Sequence, residues 1–400
     1  METRTKAAAD LITIGHDGEA FVLGRPDLGV YVAVPEPGAV FIRELQATGS
    51  VASATAKATE SAGADVDGAE FLQGLEQAGL LEPPAGAGGE RGGIRWIEGV
   101  SQRTAARLFG RTAWLLYGGA LAVVLAILAL RPDLRPYYEH AWWLPDPILS
   151  VLALVPLGLL IGGLHEMWHW LAGRAEGVPA IFRVSNRGIY VVFETDLTQI
   201  VSIPRRRRYG AFLAGMALDT VVMAVALSLR LLNRTQVLAL PGLLDRLLAA
   251  VVLTQFFAIG WQFFAVFMRS DMYAVLANAL RCHDLYRATW LTAKDRLWRL
   301  NPEESAELAA ASERDRKVAE WFGAVYLAGI FVMVWLMLLY GLPFAISMIV
   351  WVGSNLVRPD LGTWAFWSSA LVAALVVGTR VAPLLLAARE RRLRLRGRLR

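Results

Sequence analysis

Leu164-His165-Glu166-Met167-Trp168-His169 lies near the end of a long apolar run, Pro147 to Ala172, and its reading decides the fold. At helical spacing the two histidines, four residues apart, stand one turn above each other on one face, where their imidazoles can share a zinc ion. Glu166 sits beside them, placed to handle the proton of a metal-bound water. Val151 to Leu164 carries no charge at all and reads as a helix facing lipid or buried in a bundle. Ionisable groups are costly there, so their presence argues for function. A lone histidine at such a helix end would be read as packing or capping; the full H-E-x-x-H signature inside a membrane span is not.

The composition extends that reading to the whole chain. Of 400 residues, 56% are hydrophobic, which a soluble core does not require and a polytopic membrane protein does. Candidate spans are Ala113 to Leu130, Pro147 to Ala172, Gly210 to Leu229, Ala249 to Met268, Trp321 to Pro343 and Trp364 to Ala387, with Phe344 to Val352 extending the fifth or turning at the interface. The net charge of +5 rests mostly on arginines flanking these runs, which is a signature of membrane orientation and argues against a nucleic-acid partner. No basic segment followed by a short apolar one opens the first hundred residues, so the N-terminus is expected in the cytosol. That choice puts Gly173 to Tyr209, Arg269 to Glu320 and the tail from Arg389 inside, and these carry the heavier basic load. Both ends are then cytosolic, and His165 and His169 lie near the cytosolic end of the second span. Cys282, the single cysteine, excludes a disulfide framework, and with His283 it is too little for a metal site.

Outside the spans the chain is modular. Ala20 to Leu23 and Val30 to Val34 are β-prone and read as a hairpin, followed by helices over Gly38 to Gln46, Val51 to Ser61 and Gly68 to Ala78, the last capped by Asp67 and ended by Gly79. Glu82 to Gly93 is rich in glycine and proline, as a linker is. Ile181 to Thr195 reads as a second hairpin, whose edge could take an extended peptide or simply pack. Helices are expected over Tyr273 to Leu280, Leu285 to Trp298 and Pro302 to Glu320, with Trp290, Leu291, Leu297 and Trp298 on one apolar stripe.

Two histidines leave a zinc ion short of the three protein ligands usual in catalytic sites. His16 and His140 lie outside the predicted core and His283 in a polar segment, so a carboxylate is the better candidate. Asp271 follows the fourth span and Asp219 lies inside the third. By helix rise Asp219 is about 15 Å from Tyr209, so depth leaves both open.

The histidine signature in a membrane helix, Ala214-Gly215 followed by Asp219, and Asp271 at the end of another helix together resemble the site-2 protease family of intramembrane zinc metalloproteases, in particular its peptide zinc metalloprotease branch. The likeness covers Pro147 to Asn278. In that branch a Phe-Asp-Gly-Tyr-type motif supplies the third ligand; Asp271, with Tyr273 two residues on, matches it, while Ser270 replaces the aromatic residue, Met272 the glycine, and no Asn-Pro precedes. The resemblance implies zinc on His165, His169 and Asp271, with Glu166 catalytic and Asp219 orienting, binding substrate or serving as the alternative ligand. The N-terminal hairpin and helices, with Tyr31-Val32-Ala33-Val34-Pro35 and Phe71 to Leu81, resemble the PqqD-like domains that recognise leaders of ribosomally made, modified peptides. That likeness implies a leader peptide added as a strand at the hairpin edge.

The expected protein is a mainly α polytopic membrane protein of about six transmembrane helices with a small N-terminal α+β, winged-helix-like domain. Its parts are a peptide-recognition domain (1–85), a linker (86–112), a metalloprotease core (113–272), a cytosolic helical segment (273–320), and C-terminal transmembrane helices with a basic tail (321–400). The expected activity is zinc-dependent cleavage, in the cell membrane, of a peptide or membrane-protein substrate, as in maturation or export of a ribosomally made peptide. The alternatives are a non-catalytic peptide-binding export partner and cleavage of a membrane-anchored regulator.

Overall fold

The computed structural model describes residues 2–17, 20–25, 30–81, 100–178, 180–187 and 190–374. Helix α1 (Glu2–Ala9) leads into an antiparallel sheet of β1 (Thr13–Asp17), β2 (Ala20–Arg25) and β3 (Val30–Val34), in that order across the sheet. The β2–β3 pair is the hairpin that the sequence predicts; most of its connecting loop lies outside the described residues. Strand β1 has little β-propensity of its own and owes its conformation to pairing, Ile14 opposite Leu23 and Gly15 opposite Val22.

Helices α2 (Glu36–Thr48), α3 (Val51–Ala62) and α4 (Gly68–Gln77) then cover one face of the sheet. Asp67 caps α4 by accepting from the amides of Ala69 and Glu70 at 2.9 and 3.0 Å, and Gly79 leaves it at φ 80°, where only glycine is unstrained. Leu23, Val34, Phe41, Ile42, Leu45 and Leu75 form the core, with Phe71 set edge-on to Phe41. The opposite side of the sheet docks on the 3-10 turn Thr198–Ser202, whose Ser202 carbonyl would lie 3.4 Å from a Cβ at position 15.

The segment before the first span contains a short helix, α5 (Gln102–Leu108), held when Arg174 donates to the Val100 carbonyl. The spans follow. Helices α6 (Arg111–Leu130) and α7 (Pro147–Ala175) precede the hairpin β4 (Ile181–Arg187) and β5 (Tyr190–Asp196), which pair antiparallel as expected; their turn falls outside the described residues. Next come α8 (Arg205–Arg234), α9 (Gly242–Phe264), and the shorter α10 (Asp271–Ala279), α11 (Leu285–Leu297) and α12 (Pro302–Ala310). Helix α13 (Glu313–Leu336) continues through a π-helical turn into α14 (Leu342–Val357). The wider turn accommodates Pro343, which cannot donate to the preceding turn. The last described helix is α15 (Trp364–Ala374).

Five helical segments among the described residues are long and apolar enough to cross a membrane, and α8 is the most buried of them. The sixth expected span is described only as α15; residues 375–387 and the basic tail lie outside the described residues. The fifth span is longer than expected, because Phe344 to Val352 extends it. Glu313–Val357 has 45 residues, about 68 Å at 1.5 Å per residue, more than twice the ~30 Å of a hydrocarbon core.

Two further differences are local. The helix expected from Pro302 to Glu320 breaks at Ala311, because Ser312 accepts from the Asp315 amide at 3.0 Å and starts α13 afresh. The expected stripe on α11 divides: Leu291 is fully buried, whereas Trp290, Leu297 and Trp298 are exposed, Trp298 having left the helix as an extended residue.

The chain forms two compact units. One, Leu125–Leu159, Val225–Phe257 and Phe331–Arg400, is joined by Trp142 stacked on Phe344 at 4.6 Å, Tyr340 packed on Phe256 and Phe257, and the Tyr340 hydroxyl donating to the Pro136 carbonyl. The other, Met1–Val124, Leu160–Ala224 and Ala258–Ile330, holds the N-terminal sheet, both hairpin strands β4 and β5, and every candidate site residue.

Leu45 is fully buried in the N-terminal core, so Leu45→Ala should cost about 2–5 kcal/mol there. Hydrogen exchange on the full chain would show the loss across residues 36–75, with α7 unchanged.

Candidate metal centre

The centre is built on α7, whose turn brings His165 and His169 together on one face, both buried. Their Nε2 atoms stand 3.2 Å apart. The third group comes from the far side of α9. After Phe264 the chain makes a 3-10 turn, Val266–Met268, and Arg269 takes the left-handed conformation at φ 59°, which reverses the chain and starts α10 at Asp271. The Arg269 guanidinium lies 4.1 Å over the Tyr286 ring, a contact that holds this uncommon non-glycine conformation. Ser270 and Met272 therefore do not misdirect the carboxylate. Asp271 Oδ2 stands 3.1 Å from His169 Nε2 and 3.2 Å from His165 Nε2.

Second partners fix the tautomers. His169 Nδ1 is 2.7 Å from the Ala211 carbonyl. A carbonyl only accepts, so Nδ1 carries a proton and, in the neutral ring, Nε2 presents a lone pair. His165 Nδ1 stands 2.7 Å from Asp219 Oδ2, and donation to that carboxylate likewise leaves Nε2 bare. With neutral rings, two lone pairs and a carboxylate oxygen converge here, an arrangement that calls for a cation, whether a proton or a metal ion, among the three.

The spacing suits a metal ion. Ligand atoms bound tetrahedrally at about 2.0–2.2 Å stand roughly 3.3–3.6 Å apart, and the observed sides of the triangle are 3.1, 3.2 and 3.2 Å. His165, His169 and Asp271 can hold a metal ion, and among the described residues no other such group comes together.

Asp219, the alternative third ligand, lies behind His165 and not in the triangle. Its bond to the far ring nitrogen is the kind that orients a metal-binding imidazole. His283 lies elsewhere, where Arg205 Nη2 donates to its Nε2 at 3.4 Å. His140 belongs to the other compact unit, and the side chain of His16 is outside the described residues.

Glu166 follows His165 on α7 and is held by β5. The Thr195 amide donates to Glu166 Oε2 at 3.0 Å, and the Thr195 hydroxyl donates to the Glu166 carbonyl at 2.6 Å. Phe193, two residues before, packs 3.5 Å from where a Cβ of Gly163 would stand and stacks with Phe182. Hairpin and signature helix are therefore one assembly.

The roles of three contributors are not read from the sequence. Ala211 acts through its backbone, which no side-chain pattern reveals. Gln262 accepts from the Asp271 amide at 3.1 Å, with its Nε2 3.5 Å from His165 Nε2; the available signal was a polar residue inside an apolar span. Gly215 faces the imidazoles so closely that a Cβ would collide with His165 Cε1 and Nε2 and with His169 Nε2.

Burial pushes the Cys282 thiol up to about 12, and Asp315 beside it adds to the shift, so the thiol is un-ionised at neutral pH. It is therefore a poor nucleophile at neutral pH.

Gly215→Ala should remove metal binding while α8 keeps its helicity, read as bound metal per protein alongside circular dichroism. Alkylation of Cys282 by N-ethylmaleimide at pH 8 should be at least tenfold slower than that of glutathione, because the fall in thiolate outweighs the gain in its nucleophilicity. Set against family models, curated proteins and solved structures, the chain matches none, so the function of this centre must be argued from its own geometry.

Proposed function

We propose that the chain is an intramembrane zinc endopeptidase, with His165, His169 and Asp271 as ligands and Glu166 as the general base. The observation that carries this reading is the triangle of bare acceptor atoms, their tautomers set from behind by Asp219 and Ala211, with a glutamate next in sequence to the first of them. Two imidazoles and a carboxylate are a borderline-soft donor set typical of catalytic zinc. A zinc ion held there would supply a Lewis acid and lower the pKa of a water in its open position. Glu166 would accept the proton of the attacking water and return it to the leaving amine. Thr195 fixes the carboxylate for that transfer, and Asp219 compensates charge on His165.

The membrane setting rests on the five long apolar helices, and the heavy basic load of Gly173 to Tyr209 and Arg269 to Glu320 argues that the metal-centre end faces the cytosol. For the substrate class the support is the N-terminal domain. Strand β3 is an edge, and a groove between it and α4 is lined by Val32, Val34, Asp67, Phe71 and Leu75. An extended peptide can add to that edge with alternate side chains in the groove, as in PqqD-like leader recognition. This favours a ribosomally made peptide over a membrane-anchored regulator.

Glu166→Gln should retain zinc and lose cleavage by about 10²–10⁴-fold, read on a fluorogenic peptide library with the protein in mixed micelles. Zinc bound by the native chain without any cleavage would leave the non-catalytic peptide-binding export partner as the better reading.

A further inference from the structure

Helix α11 has an inner and an outer face. At about 100° per residue, Leu285, Ala288 and Leu291 fall on one side and are buried, whereas Trp290 and Leu297 fall on the other. Trp290 is 55% exposed, Leu297 69%, and Trp298, just past the helix end, 68%. Between Trp290 and Leu297 the outer face carries Ala293 and no charge. The nearest charged side chains are turned aside: Arg287 pairs with Glu307 and Lys294 with Glu304, each at 2.6 Å, along the flank that meets α12. A helix face bathed in water is normally charged or polar, and this one is aromatic and aliphatic.

The place at which α11 is held says what covers that face. Helix α13 changes character at Trp321: Glu313 to Glu320 contains six charged residues, and Trp321 to Val357 contains none. A junction of this kind, with a tryptophan at it, marks the level at which a span enters the bilayer. Arg296 donates to the Glu320 carbonyl at 2.9 Å, and Leu285, at the other end of α11, shares a buried cluster with Val318 and Phe322. Both ends of α11 therefore meet α13 around the same junction, so the helix lies across the entrance of the span and not along it. Trp321 and Leu327 of the adjoining span are exposed as well.

We infer that α11 is an interfacial helix whose outer face, Trp290, Leu297 and the adjoining Trp298, rests in the headgroup layer of the bilayer at the end where α13 enters. Tryptophan favours that layer, its ring among the upper acyl carbons and its N–H toward water. Arg299, exposed beside Trp298, reaches lipid phosphate from there. The contact bears on the metal centre through α10. The Tyr286 amide donates to the Tyr273 hydroxyl at 2.9 Å, two residues after Asp271, and the Tyr286 ring lies under Arg269, two residues before it. A helix seated on the bilayer thus holds the start of α10, and with it Asp271, at a fixed depth. The seating itself requires neither zinc nor Glu166.

The test uses the full chain in phosphatidylcholine nanodiscs, with Cys282→Ala removing the native thiol. An environment-sensitive NBD label is placed at Leu297→Cys, which leaves both tryptophans in place, and for comparison at Lys57→Cys, exposed on α3. Phosphatidylcholine carrying a nitroxide on its headgroup or at a shallow acyl position should lower emission at residue 297 by about threefold or more, and at residue 57 by under about a tenth. Equal quenching at the two positions would overturn the inference. So would emission at residue 297 that is blue-shifted but unquenched, since a second copy of the chain or another protein would then cover the face. Should the labelled variants fail to fold, the unaltered chain in nanodiscs containing a phosphatidylcholine with a diazirine near its headgroup decides: adducts on Trp290, Leu297 or Trp298 support the bilayer seat, and adducts confined to the long apolar helices refute it.

Discussion

The structure depends on the meeting of three acceptor atoms, two imidazole nitrogens and a carboxylate oxygen, between apolar helices. Such a meeting is unfavourable without a cation, and more so where few water molecules can soften the repulsion. Each neighbouring feature serves it. Gly215 gives the imidazoles room by having no side chain, Ala211 and Asp219 direct the lone pairs inward, and Gln262 secures the amide of Asp271. A site so closely supported is preorganised, which is what metal binding and catalysis both require.

The same demand shapes the backbone around it. The left-handed Arg269, set against Tyr286, lets a helix end and another begin within a few residues, so that a carboxylate from beyond α9 reaches back to α7. The hairpin of β4 and β5 returns to α7 through Thr195 and Phe193, binding both the carboxylate and the carbonyl of Glu166. Helix α8 contributes Gly215 and Ala211 at the site.

In the proposed peptidase the N-terminal domain would add selectivity to a chemistry that has little of its own. A zinc centre with a general base attacks any peptide bond presented to it, so discrimination falls to whatever delivers the chain. The sheet is docked on the Thr198–Ser202 turn, on the side away from its covering helices.

The sequence by itself determined the parts whose physics is local. Apolar runs of sufficient length specify the spans, Asp67 caps the helix that follows it, alternating β-prone residues specify the two hairpins, and the i, i+4 spacing of His165 and His169 specifies a shared face. What it left open was each question whose answer depends on distant segments. Asp219 and Asp271 were both admissible third ligands, since helix rise gives depth but not azimuth. Only packing put one beside the Nε2 atoms and the other behind an imidazole. Strand β1 exists because β2 offers a partner, α11 buries Leu291 but not Trp290, and the fifth span runs on because a π-helical turn accommodates Pro343. Tertiary structure decided these points because hydrogen-bond partners, burial and close backbone approach are properties of the neighbours a residue meets, which linear spacing does not encode.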